Sequence, residues 1–133
     1  MENNFKFRSI LLIDDNDTDN YVNKRIIEKS RFAEQVYTLK SAKDAINFLK
    51  NLEEFPEHLP EIIFLDIKMP EIDGFGFLKL YANLSDTIKN KCSIIMLTSS
   101  VDPIDYNRAL SNPHVFNYLK KPLNIEELLA IAA

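Results

Sequence analysis

Apolar residues fall along this chain in short runs separated by stretches with three-four spacing. Ile10-Leu11-Leu12-Ile13, Ile62-Ile63-Phe64-Leu65, Ser93-Ile94-Ile95-Met96-Leu97 and Val115-Phe116-Asn117-Tyr118-Leu119 read as strands. Gln35-Val36-Tyr37-Thr38-Leu39 is more polar and reads as an edge strand. Between the runs, Asp17 can cap a helix that turns Val22, Ile26 and Ile27 inward and runs to about Ser30. Ser41 caps a second helix, with Ala42, Ala45, Ile46, Leu49 and Leu52 on one face. Two prolines in Phe55–Pro60 make a loop. A third helix carries Phe75, Leu78 and Ala82 inward. Asp102-Pro103 opens a short helix that ends near Ser111-Asn112-Pro113, and Ile125, Leu128, Leu129 and Ala132 mark a last one. Strands alternating with helices predict an α/β fold built on a parallel sheet.

The strand ends carry the chemistry. The first apolar run ends in Asp14-Asp15, the next in Asp66, the next in Thr98, and the last in Lys120-Lys121-Pro122. In an open parallel sheet, ligands bind outside the carboxyl ends of the strands, so these groups can converge although far apart in sequence. Three carboxylates, one hydroxyl and one ammonium suit a hard cation and a phosphoryl group better than a packed core. Lys120 and Lys121 alternate faces on a strand. Lys121 precedes proline, so it is assigned to the site and Lys120 to solvent. Gly74, after Asp66 in Ile67–Gly74, is expected to take a left-handed turn.

Composition narrows the classes. A chain of 133 residues, 46% hydrophobic and 27% charged, fits one globular domain spanning 1–133. A net charge of -4 and the lack of a basic cluster give no footprint for nucleic acid. The lone Cys92 excludes an internal disulfide and is expected to be an inert thiol. Met1–Asn4 is polar, and no run reaches the roughly 20 apolar residues of a membrane span. A cytoplasmic location is the expectation. His58 and His114 are too isolated to form a ligand set.

With the strand ends placed, the chain resembles the receiver domain of two-component response regulators. The motifs are Asp14-Asp15, Leu65-Asp66 followed by Met69-Pro70 and Asp73-Gly74, then Thr98-Ser99, and Lys121-Pro122. The resemblance covers about Arg8 to Ala133. It implies a flavodoxin-like (βα)5 fold, with a five-stranded parallel sheet in order 2-1-3-4-5 and five helices on its two faces. It also implies that Asp66 accepts a phosphoryl group from a sensor histidine kinase or histidine phosphotransfer protein. Asp14 and Asp15 then hold Mg2+ with Asp66 and the Lys68 carbonyl, while Lys121 and Thr98 contact phosphoryl oxygens. Thr98 gains its partner only on phosphorylation, and Tyr118 is the aromatic that changes rotamer as Thr98 moves. The Lys121-Pro122 peptide is expected to be cis. Output is expected through an unknown protein target, with neither nucleic acid nor membrane contacted by this domain.

Other readings meet specific obstacles. Asp15, Asp17 and Asp19 mimic the start of a calcium-binding EF-hand loop, but Asn20 and Ile26 occupy its glycine and glutamate positions. Asp17 and Asp19 are better explained as first-turn acids favoured by the helix dipole. A Mg2+-dependent aspartyl-nucleophile phosphatase needs an acid/base two residues after the nucleophile, where Lys68 stands. An inactive pseudo-receiver acting as an interaction module would not need the five site residues that are all intact here.

Overall fold

In the computed structural model, which describes residues 5–132, the apolar runs form the centre of one five-stranded sheet. Its strands are β1 (Phe7–Ile13), β2 (Ala33–Leu39), β3 (Ile62–Leu65), β4 (Ser93–Thr98) and β5 (Val115–Lys120). All pairings are parallel, in the order β2-β1-β3-β4-β5. This is the flavodoxin-like arrangement expected. Met1–Asn4, Ala133 and the side chain of Ala132 lie outside the described residues, so the placement of Ala132 inward finds no answer.

Successive side chains on a strand point to opposite faces, and the core divides accordingly. Leu11, Ile13, Ile63, Leu65, Ile94 and Met96 pack under α2 (Ala42–Asn51), α3 (Gly74–Ala82), α4 (Asp86–Lys91) and α5 (Pro103–Leu110). Ile10, Leu12, Ile62, Phe64, Ile95 and Leu97 pack under α1 (Asp17–Lys29) and α6 (Ile125–Ala132). Both faces of the three central strands are thus sealed, which explains runs with almost no polar residue.

The helices depart from the sequence pattern at several points. Asn16, not Asp17, caps α1: its side chain accepts from the Asp19 N–H at 2.9 Å. Val22 is exposed, while Asn20 and Asn23 take the buried face beside Ile27. Tyr81 replaces Ala82 on the inner face of α3, and Ile125 and Leu129 are exposed on α6, leaving Leu128 inside with Leu123 from the segment before the helix. Among the described residues six α-helices are present where five were expected, the extra one being α4, capped by Ser85 and anchored by Ile88. Pro56–His58 forms a 3-10 turn within the expected loop. Ser41 and Asp102 cap α2 and α5 as the sequence indicated.

Gly74 does not have a positive φ; that backbone conformation falls to Glu71 at 67°. The glycine is needed for close approach instead. A Cβ built on it would lie 2.5 Å from the Asp66 carbonyl oxygen, because the start of α3 presses against the end of β3. The Gly74 N–H donates to the Ile67 carbonyl at 2.8 Å, fixing that approach.

Candidate functional site

The backbone registers bring the strand ends level. The Asp14 N–H donates to the Leu39 carbonyl and the Asp66 N–H to the Ile13 carbonyl, both at 3.0 Å, so β1 and β3 release their aspartates side by side. Carboxylate oxygens of Asp14, Asp15 and Asp66 lie within 4.8 Å of one another. Asp14 and Asp66 are buried, whereas Asp15 is exposed at the edge of the cluster.

Each buried carboxylate divides its oxygens between backbone and ammonium. Asp14 Oδ1 accepts from the Asn16 N–H at 3.0 Å, and Asp66 Oδ1 accepts from the Ile67 N–H at 2.8 Å. Their Oδ2 atoms both meet the Lys121 ammonium, Asp14 in direct contact and Asp66 at 3.1 Å. Lys121 comes from the far side of the sheet, where its backbone N–H donates to the Thr98 carbonyl at 3.0 Å. Lys120 is exposed. The Lys121-Pro122 peptide is cis, as the resemblance implied.

The electrostatics follow from burying like charges together. Burial, helped by the charge of Asp66, raises the Asp14 carboxyl above its usual value against the pull of Lys121 and Asn16. Burial opposes the charge on Lys121, but hydrogen bonds to Asp14 and Asp19 and the charge of Asp66 outweigh it. The ammonium is therefore held above its ordinary value of 10.5. One lysine thus neutralises part of an acidic cluster that remains rich in hard oxygen donors. That donor set fits a cation preferring oxygen ligands, with one carboxylate oxygen of Asp14, Asp15 and Asp66 each close enough to share it. A cleft of about 580 Å³ opens beside it, lined by Asp15, Lys68, Met69, Pro70, Asp73 and Arg108 among others.

Thr98 is fully buried at the end of β4, and its hydroxyl already accepts from the Ser100 N–H at 3.2 Å. The expectation that Thr98 gains a partner only on phosphorylation is therefore corrected: its oxygen already has a partner as an acceptor, and a phosphoryl oxygen would take the O–H donor. Tyr118 is half-buried, donates to the Ser100 carbonyl at 3.4 Å and meets Tyr106 edge-on at 5.1 Å. Burial raises its phenol above the usual range, against the pull of the Ser100 bond.

Three sets of residues near the site carry no motif. Asp19, read only as a first-turn acid, places Oδ2 2.8 Å from the Lys121 ammonium. Asn20 donates to the Asp14 carbonyl at 2.8 Å, and Asn23 accepts from the Leu123 N–H at 3.1 Å. These amides join α1 to β1 and to the chain following Lys121. Ser100 donates to Asp105 at 2.7 Å and accepts from the Asp102 N–H at 3.3 Å, linking the Thr98 loop to α5. The signal for Asp19 is its place one helical turn after Asp15, on the side of the helix start nearest the strand ends.

Comparison with known proteins agrees with this geometry. The probable methanogenesis regulatory protein FilR2 of Methanothrix harundinacea is 33% identical over 119 residues, spanning 90% of this chain and 75% of that protein. The chain spans about a third of the length of longer transcriptional regulatory proteins from Staphylococcus aureus that it also matches. A crystal structure of a two component response regulator from Cytophaga hutchinsonii superposes with a TM-score of 0.85 at 34% identity, covering 94% of this chain and 96% of that one. The Mn(2+)-bound form of response regulator Rcp1 superposes with a TM-score of 0.70 at 25% identity, covering 94% of this chain and 88% of that one. The model of the response regulator receiver domain matches residues 10–133, and the chain belongs to that family.

Proposed function

We propose that the whole of 1–133 acts as one receiver whose Asp66 accepts a phosphoryl group from a histidine kinase or histidine phosphotransfer protein. The observation that carries this reading is the convergence of Asp14, Asp15 and Asp66 on one another, with Lys121 bridging two of them. Asp66 is the carboxylate in the middle strand of the sheet, between Asp14-Asp15 on β1 and Thr98 on β4. Mg2+ is the proposed cation, and when bound it neutralises charge between carboxylate and phosphoryl oxygens. The Mn(2+)-bound neighbour supports a divalent ion here. Lys68 contributes its backbone carbonyl, leaving its exposed side chain at the cleft mouth.

In the transfer, an Asp66 carboxylate oxygen forms a bond to phosphorus while the phosphorus–nitrogen bond of the donor histidine breaks. The electron pair stays on the imidazole nitrogen, which takes a proton from solvent. Lys121 exchanges a carboxylate oxygen for a phosphoryl oxygen, and Thr98 donates its O–H to another. The acyl phosphate carries about -2 charge and three acceptor oxygens, enough to engage both. Self-catalysed loss of the phosphoryl group resets the switch.

Output runs through α5, β5 and α6, where Ile104, Tyr106, Leu110, Phe116, Ile125 and Leu129 are exposed. Tyr118 couples this face to Thr98 through Ser100, and a protein target reads the change. Among the described residues no helix is long and apolar enough to cross a membrane. A cytoplasmic location fits a domain that meets kinases there.

Incubation with acetyl phosphate and Mg2+ tests the acceptor. Intact mass should gain one phosphoryl group in the wild type and none in Asp66→Asn; equal labelling of the two would refute the assignment. Amide shifts with a beryllium fluoride mimic should move most from Thr98 to Leu119. Changes confined to the residues flanking Asp66 would refute the output face.

A further inference from the structure

The Lys121 ammonium has three N–H donors, and three carboxylates meet it: Asp14, Asp19 at 2.8 Å and Asp66 at 3.1 Å. Nothing is left over for a further acceptor. The three partners are not equivalent. Asp14 and Asp66 belong to the set of oxygens that converge within 4.8 Å, and Asp19 does not. Asp14 and Asp66 sit on strand ends, while Asp19 stands in the first turn of α1. When Asp14 and Asp66 turn to a cation, two of the ammonium's contacts are lost and a double positive charge arrives beside it. Coulomb repulsion then drives Lys121 outward, away from where it must meet a phosphoryl oxygen.

We propose that Asp19 is a positioning residue: a tether that keeps Lys121 in the site once Asp14 and Asp66 engage a cation. This inference rests on the phosphoacceptor reading above and names a part of that site which no motif assigns. With Asp19 holding one donor, two remain free, one for a phosphoryl oxygen. The neighbouring first-turn acid is built differently. Asp17 pairs with Lys40 at 3.0 Å on the exposed surface, so α1 retains a first-turn acid without Asp19. The amide bonds of Asn20 to Asp14 and of Asn23 to Leu123 hold that turn of α1 against both strands, so Asp19 stays within reach of Lys121. The tethering oxygen is also half in water, its side chain being 38% exposed against 7% for Asp14 and Asp66. A partly solvated carboxylate can follow the ammonium through a small movement without leaving a buried charge unpaired.

The test measures two affinities on the whole chain: Mg2+ alone, and beryllium fluoride at saturating Mg2+. Asp19→Asn and Asp19→Ala should weaken beryllium fluoride binding roughly ten-fold, the range of one charge-assisted hydrogen bond. They should leave Mg2+ affinity equal or tighter, because Lys121 then competes less well for Asp14 and Asp66. Asp19→Glu, which restores the charge, should recover most of the loss. A purely structural role for Asp19 would lower the melting temperature without splitting the two affinities. Beryllium fluoride binding unchanged or tightened in Asp19→Asn overturns the tether, and so does a parallel loss of Mg2+ affinity. Asp19→Asn is close to isosteric and carries the test if Asp19→Ala does not fold. A wild-type protein that binds no beryllium fluoride at all overturns the phosphoacceptor reading along with it. One that binds normally beside indifferent variants overturns the tether alone.

Discussion

At the carboxyl end of the sheet, the buried side chains of Asp14 and Asp66 both meet the half-buried ammonium of Lys121. At the amino end, the thiol of Cys92, just before β4, is paired with the Tyr81 hydroxyl on α3, and the His114 ring meets Tyr81 edge-on at 5.4 Å. Burial pushes the Cys92 thiol up to about 12 and the Tyr81 phenol above its usual range, so both stay uncharged near neutral pH. The same strands therefore meet polar burial in two ways. One end offsets it with opposite charge and retains partners that can be exchanged. The other offsets it with a neutral pair that has nothing to exchange. Stability at the first end is therefore expected to respond to divalent ions, and stability at the second is not.

The comparison is broken most directly at Lys121. Lys121→Met leaves the carboxylates without their ammonium, and removing one partner of a buried pair costs about 3 kcal/mol. Denaturation without divalent ions should show that loss, and millimolar Mg2+ should recover most of it. A variant as stable as wild type in a metal chelator would show that the cluster is not under charge strain.

Next comes Gly74→Ala, whose new methyl meets backbone 2.5 Å away at the Asp66 carbonyl. It should destabilise the fold by about 2 kcal/mol and slow phosphoryl uptake by moving Asp66. Gly76→Ala meets the Cγ2 methyl of Ile72 at 2.7 Å, a side chain and not backbone, and a gain of about 1 kcal/mol in helix propensity works against that contact, so it should cost less than Gly74→Ala. Equal effects of the two alanines would remove the link between α3 and the site.

Smaller effects belong to the amino end. Tyr81→Phe removes one hydrogen bond and should cost about 1 kcal/mol with phosphoryl uptake unchanged. The last is a pH effect on stability, confined to alkaline solution. A thiol raised in the fold from 9.0 to about 12 contributes stability below its unfolded value, lost as pH rises through that interval. Melting in Cys92→Ala should therefore fall less steeply above pH 9 than in wild type. At pH 8, iodoacetamide should label native Cys92 much more slowly than the unfolded chain, following the thiolate fraction. Labelling at the unfolded rate would show that the amino end is not sealed.

Much of this contrast could be read from the chain, but not evenly. The strand ends were legible because a fully apolar run followed by Asp14, Asp66 or Thr98 changes chemistry within one residue. The inner face of α1 was not. Hydropathy favours Val22 over Asn20 and Asn23, yet the amides go inside because the Asp14 carbonyl and the Leu123 N–H accept and donate there. The same blindness hid Asp19, whose partner is 102 residues away. The extra helix α4 was missed because six residues with only Ile88 buried give too few turns for a period to show. At Gly74 the need for glycine was legible but its reason was not. Crowding by Asp66 is a tertiary fact, while a turn is a local one.

The strand order also sets a timetable. β1 lies between β2 and β3 and pairs with both, so the half of the sheet holding Asp14, Asp15 and Asp66 consists of segments made first on the ribosome. Lys121 follows Asp66 by 55 residues. A nascent chain that docks β3 on β1 before β4 is available carries a cluster of carboxylates with no ammonium and an open apolar edge at Ile62–Leu65. Arrival of β4 covers that edge, and arrival of β5 delivers the counter-charge. The last strand to emerge is thus the one that completes both the hydrogen-bonded ladder and the charge balance.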